Sequence, residues 1–248
     1  LGDVNLHADM DYDEIAASDM VGRKAVYDAE KSLLTYYVTE TAIVNTNTGS
    51  TRERLVEHKV SLTGMIDGSA GNSPIIRVNS GSMNMNGGAL VGCNDCAIYQ
   101  TGGMMYMYGG YICGNRNSGS GGGINSSGDG AICLKGGVIA ANEAAIDGGG
   151  IYVEADSLYV YEGVISGNAC TGNGSGGGIF ARGRTTLTIE SGYITNNRCD
   201  SLSYDAGGGG IFTTGQAILK LKGGYVTGNY VGGGGGGIRS SASVMSMT

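Results

Sequence analysis

Six times in succession, an Ile preceded by small residues returns at near-constant spacing. It stands at Ile98, Ile124, Ile151, Ile179, Ile211 and Ile238, in steps of 26, 27, 28, 32 and 27 residues. A period of this size restricts a chain to stacked or radial repeat architectures, so it has to be read before any local motif. Aligned on the Ile, the copies GIYVEADSLYVYEGVISGN (from Gly150), GIFARGRTTLTIESGYITNN (from Gly178) and GIFTTGQAILKLKGGYVTGN (from Gly210) share one pattern. Three short apolar stretches are separated by Gly, Ser, Asn or Asp, which reads as three strands and three turns per copy.

The middle stretch alternates apolar and polar residues: Met105/Met107, Ile132/Leu134, Leu158/Val160, Leu187/Ile189 and Leu219/Leu221. Period two marks a strand with one buried face. The intervening Tyr106, Cys133, Tyr159, Thr188 and Lys220 are expected to face outward. No single copy could bury its inner face alone, so the core must come from stacking, with successive copies about 4.8 Å apart. A propeller blade would need a longer antiparallel unit, and the leucine-rich signature is missing. The expected fold is all-β: a right-handed parallel β-helix with three strands per coil and an N-terminal α/β cap. Residues 1–54 are assigned to the cap and 55–248 to the helix, truncated in its last coil.

Two further columns fit this reading. Asn115, Asn142, Asn168, Asn197 and Asn229 fall at the same point of successive copies, where stacked amides would satisfy one another inside the coil. Glycine clusters precede the Ile residues, at Gly121–Gly123, Gly148–Gly150, Gly176–Gly178 and Gly207–Gly210. They allow close backbone approach at a corner. A phosphate-binding loop would sit between a strand and a helix, and no helix follows.

Composition changes near residue 60. Residues 1–60 hold only three of the 49 glycines but half of the acidic residues. Residues 11–34 carry a loose apolar face suited to a helix, and 33–44 read as a strand. The net charge is −7 with no basic stripe, which argues against nucleic acid as partner. No apolar stretch implies direct membrane insertion. The chain reads as a piece of a longer polypeptide, and a last coil left open would offer an edge for self-association. Of the six cysteines, Cys170 and Cys199 align two residues after the repeat Asn, within disulfide reach if stacked. A Cys93–Cys96 or Cys93–Cys113 bridge and free thiols remain open alternatives. A lone CxxC without a second pair or nearby His implies no metal site. No cofactor is expected.

The recurrent GGGI (Gly121–Ile124, Gly148–Ile151, Gly176–Ile179) resembles the GGA[ILV] repeat of chlamydial polymorphic outer membrane proteins. The Gly-Tyr/Val-Ile-x-x-Asn element (Gly192–Asn197, Gly224–Asn229) is similar to their FxxN partner. Related repeats occur in bacterial surface adhesins and autotransporter passengers of pectin-lyase-like fold. The resemblance covers about residues 60–248, with Gly in place of Ala and Ile or Val in place of Phe. It implies an extracellular or cell-surface adhesive segment, whose partner is a glycan or surface protein of a host or neighbouring cell. Outward Tyr106, Tyr108, Tyr159 and Tyr161 are the candidate ligand contacts, since flat aromatic rows stack on sugars or pack on proteins. The alternative is a polysaccharide lyase or glycoside hydrolase of the same fold. Its candidate residues are Glu154 and Asp156 in one turn with Arg182 and Arg184 in the corresponding turn of the next coil. A surface ion-pair patch is the preferred reading of those four.

Overall fold

The computed structural model describes residues 5–10, 25–28, 33–45, 50–61, 64–154, 157–203 and 206–248. It is all-β, and its parallel strands stack into a β-solenoid of about seven turns. Among the described residues there is no helix, hence none long and apolar enough to cross a membrane.

The middle strands stack in the predicted register. Leu158, Leu187 and Leu219 pair in parallel, continuing from Ile132 and on to Met245. All three leucines are 0% exposed, in one core cluster with Ile151, Ile179 and Ile211 from the first strands and Ile139, Ile165 and Ile194 from the third. Full burial of one such side chain stabilises by about 1.5–3 kcal/mol, so each turn contributes several large increments only once its neighbours are in place.

Five successive turns also have a fourth strand, which the sequence pattern does not announce. Two-residue strands at Arg116–Asn117, Glu143–Ala144, Ala169–Cys170, Arg198–Cys199 and Tyr230–Val231 form a separate parallel ladder just after the Asn column. The glycine clusters pack directly against it. A Cβ on Gly122, Gly149, Gly177 or Gly209 would collide with the carbonyl oxygen of Glu143, Ala169, Arg198 or Tyr230 respectively. At this corner backbone meets backbone, and only Gly leaves room.

The Asn column lies inside that corner. Asn142 Nδ2 and the Asn142 backbone N–H both donate to Asn168 Oδ1, at 3.0 Å each, and Asn168 does the same to Asn197 at 2.9 and 3.0 Å. The second Nδ2 proton goes back to the preceding turn, from Asn168 to Ile139 O at 2.9 Å. Both donors and both lone pairs of Asn168 are thereby used, which removes the penalty of burying an amide. The residue before each Asn takes a left-handed conformation: Gly114, Ala141, Gly167, Asn196 and Gly228 have φ between 53° and 65°. Ala141 adopts it at a steric cost of about 1–2 kcal/mol.

The N-terminal region departs from expectation. Ala25–Asp28, inside the predicted helix over 11–34, is a strand, antiparallel to Leu33–Asn45. Residues 11–24 lie outside the described residues. Val26 and Tyr27 carry β-branched and aromatic side chains and pair with the strand-forming Leu34 and Thr35. Ser50–Ser61 spans the expected boundary at residue 55 and belongs to this antiparallel sheet; the first parallel strand is Met65–Asp67. Leu34 is fully buried against outward-facing Ala89, Val91, Cys113 and Ala140 of the third strands.

Two substitutions test these constraints. Gly177→Ala is expected to destabilise by about 3 kcal/mol or more, because its Cβ would also lie 2.6 Å from Gly209 O. Gly87→Ala, where a Cβ meets nothing within 4 Å, should stay within about 0.5 kcal/mol of the parent in urea denaturation. Asn168→Ala strands two donors of Asn142 and should cost about 3 kcal/mol in the same measurement.

Candidate functional site

Outward residues of the middle strands form a flat face with two tyrosine pairs. Tyr106 and Tyr108 come from one turn, Tyr159 and Tyr161 from two turns further on, with Cys133 and Lys135 between. Two steps of the stack separate the pairs by about 10 Å. Residues two apart on a strand share a face, and here their rings lie roughly parallel. The centroids are 6.2 Å apart at 22° for Tyr106–Tyr108, and 6.0 Å apart at 16° for Tyr159–Tyr161. Tyr108 and Tyr161 are 47% and 43% exposed. The expected outward direction holds for Cys133 and Thr188 too, yet both are buried, because each is a short side chain beside Tyr159 in the stack.

Lys135 lies over the first pair, its Nζ 5.3 Å from the Tyr106 centroid and 5.2 Å from that of Tyr108. A cation so placed is attracted by the ring faces. Among the described residues no carboxylate forms an ion pair with it. Further along the same face, Lys222 donates to Glu190 at 2.8 Å, while Lys220 is exposed without an ion pair.

The acid–base candidates are only partly assembled. Glu154 and Arg182 pair in register, with Arg182 Nε 3.1 Å from Glu154 Oε1. Arg184 turns instead to Gln216, donating from Nε at 3.3 Å. Asp156 lies outside the described residues. Two unforeseen residues complete the cluster. Tyr152 Oη donates to Glu154 Oε2 at 2.7 Å, and Asp147 Oδ1 accepts from the Ser175 N–H at 2.8 Å. Tyr152 is outward yet only 8% exposed, because it heads an aromatic stack with Phe180 and Phe212 at 5.4 and 5.3 Å. The signal was present in the repeats, where the Gly-Gly-Ile triplet is followed by Tyr152, Phe180 and Phe212 in the same slot.

Protonation follows from these contacts. Burial, then the bond to Glu154, hold the Tyr152 phenol well above its usual range, so it stays a donor and makes a poor base at neutral pH. Burial lifts the Asp147 carboxyl above the ordinary carboxylate range, with the Ser175 N–H and the Arg182 charge opposing. Glu154 is held between a phenol and a guanidinium. Each carboxylate is committed to a partner, Glu154 to Tyr152 and Arg182 and Asp147 to the Ser175 N–H.

The six cysteines are all buried free thiols. Cys170 and Cys199 do face each other in register, and they interact as thiols, with Cys170 Sγ also 3.2 Å from Ser175 O. Burial pushes the Cys113 thiol up to about 12. Among the described residues, His, Cys, Asp and Glu form no group of three that could hold a metal ion. A second aromatic feature stands on the third strands: Tyr193 and Tyr225 stack at 5.1 Å and 8°, both more than half exposed.

The Asp147 environment sets a pH dependence. Its folded-state affinity for a proton exceeds that of the unfolded chain, so its contribution weakens the fold as pH rises from the ordinary carboxylate range through the raised value. Asp147→Asn keeps an acceptor for Ser175 and should raise the melting temperature at pH 7. The gain should vanish on acidification below the ordinary carboxylate range; a gain constant with pH would contradict the assignment. Searches against protein families, curated proteins and solved structures find no match to this chain.

Proposed function

We propose that this chain is a rod-like, non-enzymatic segment of an extracellular or surface-displayed protein. It would present the tyrosine-lined middle face to a glycan or surface protein of a host or neighbouring cell. The observation that carries the proposal is the pair of half-exposed tyrosine couples, Tyr106/Tyr108 and Tyr159/Tyr161, on a sheet whose other face is the solenoid core. Amphipathic rings held on a rigid scaffold bind with little loss of conformational freedom. The resemblance of the GGGI and Gly-Tyr/Val-Ile-x-x-Asn elements to chlamydial polymorphic outer membrane proteins and to adhesin passengers of pectin-lyase-like fold points the same way.

Against the lyase or hydrolase alternative stands the network of Tyr152, Glu154 and Arg182, in which the Glu154 carboxylate is already held by a phenol and a guanidinium. The face also suits its role in being independent of folding. Outward side chains of a parallel stack change without disturbing the inward column, so a surface can be tuned on a constant rod.

A glycan array and a host-cell binding assay with Tyr106, Tyr108, Tyr159 and Tyr161 all changed to Ala test this directly. Binding is expected to fall by tenfold or more, on the order of 1.4 kcal/mol across four aromatic contacts. Binding equal to that of the parent, with the stack intact by circular dichroism, would reject the tyrosine face as the contact surface.

A further inference from the structure

We infer that the tyrosine face takes a polyanionic glycan, carboxylated or sulfated, laid along the solenoid axis. This rests on the proposal that the face binds glycan. The motivating observation is where unpaired positive charge is found on an acidic chain. Arg116, Arg182, Arg198 and Lys222 each form an ion pair with Glu143, Glu154, Asp200 and Glu190 respectively. Arg184 bonds to Gln216 and Arg239 to Ala206 O, while Arg77 lies over Tyr99 on a first strand, off the tyrosine face, much as Lys135 lies over Tyr106 and Tyr108 on it. Two lysines in the solenoid have neither a hydrogen bond nor an ion pair among the described residues: Lys135 and Lys220. Both face outward from the middle strands, and they flank the Tyr159/Tyr161 pair, Lys135 one turn before it and Lys220 two turns after.

Three steps of the stack put these charges about 14 Å apart along the axis. That is a spacing for a polymer with repeated anionic groups, since a single small anion could meet only one of them. Lys220 stands in the column of Tyr106 and Tyr159 and Lys135 in the neighbouring one, so the tyrosine pairs lie along an oblique path past both lysines, where sugar rings joining successive anionic groups would run. The carboxylates on this face do not cancel the pattern. Glu190 is engaged by Lys222, and Glu162, the register partner of Lys135, forms no ion pair with it among the described residues. Glu162 therefore opposes an anionic ligand by simple repulsion, which provides a test of opposite sign.

The experiment uses the whole chain and three probes: polygalacturonate, chondroitin sulfate, and a neutral cello-oligosaccharide. Affinities are measured by titration calorimetry at low and high salt. Lys135→Gln and Lys220→Gln should each weaken polyanion binding about threefold to fivefold, the scale of one exposed charge contact. Lys135→Arg should restore it, Glu162→Gln should tighten it, and added salt should weaken it. Lys220 touches no aromatic ring among the described residues, so its substitution reports charge alone. Preference for polygalacturonate or for chondroitin sulfate assigns the anionic group. Equal affinity for the neutral probe, unchanged by Lys135→Gln, Lys220→Gln or Glu162→Gln, would overturn the polyanion inference and leave the glycan proposal standing. Failure of all three probes to bind would overturn both.

Discussion

The narrow corner between the Gly-rich turn and the short fourth ladder constrains everything else. There the backbone of one segment lies against the carbonyls of another, and the Asn column fills the adjoining interior. Close approach without side chains lets the turn close in a small perimeter. The amide chain then satisfies the polar groups that so tight a bend leaves inside. The leucine and isoleucine columns supply more free energy in total, but they can align only if every corner returns the chain to the same height. Geometry comes from Gly and Asn; cohesion comes from the aliphatic core.

This division explains which parts of the architecture are legible in the sequence. Leu158/Val160 and Leu187/Ile189 alternate because the core admits only apolar side chains on one side of the strand, so the fold class is readable from spacing alone. The Asn column is readable for the same reason, since its hydrogen bonds require identical residues in register. The fourth ladder is not. A strand of two residues such as Ala169–Cys170 is too short to show a period, and in sequence it merges with the turns around it. Ala25–Asp28 is a strand rather than part of a helix because a loose run of apolar residues fits a helix as well as a strand until a partner selects between them. Alternation puts Tyr106, Tyr108, Tyr159 and Tyr161 on the outer face, whereas the burial of Tyr152 is legible only when the copies are aligned and Tyr152, Phe180 and Phe212 fall in one slot. Its cover comes from Phe180 on the next turn, a residue not adjacent along the strand.

The candidate surfaces differ in how far they are coupled to the scaffold. The Tyr152–Glu154–Arg182 network is woven into the stack: its phenol is packed on Phe180 and its ion pair bridges two turns. Disturbing it would disturb the rod. The tyrosine pairs and Lys135 stand above the sheet, in contact with one another and, at Tyr159, with the short Cys133 and Thr188 beside it. Their positions are fixed by strand register and their identities are free, which is the condition under which a surface can acquire a specificity of its own.

The Asn column also gives the rod a direction. From Asn115 to Asn197 each side-chain amide donates one proton to the Oδ1 of the Asn in the following turn, so each of those oxygens accepts from the turn before. Whole units can therefore be duplicated or deleted by recombination and still meet their neighbours donor to acceptor, whereas a cut out of phase with the period breaks the sequence of contacts. A lineage of such chains should vary in length by integral rungs.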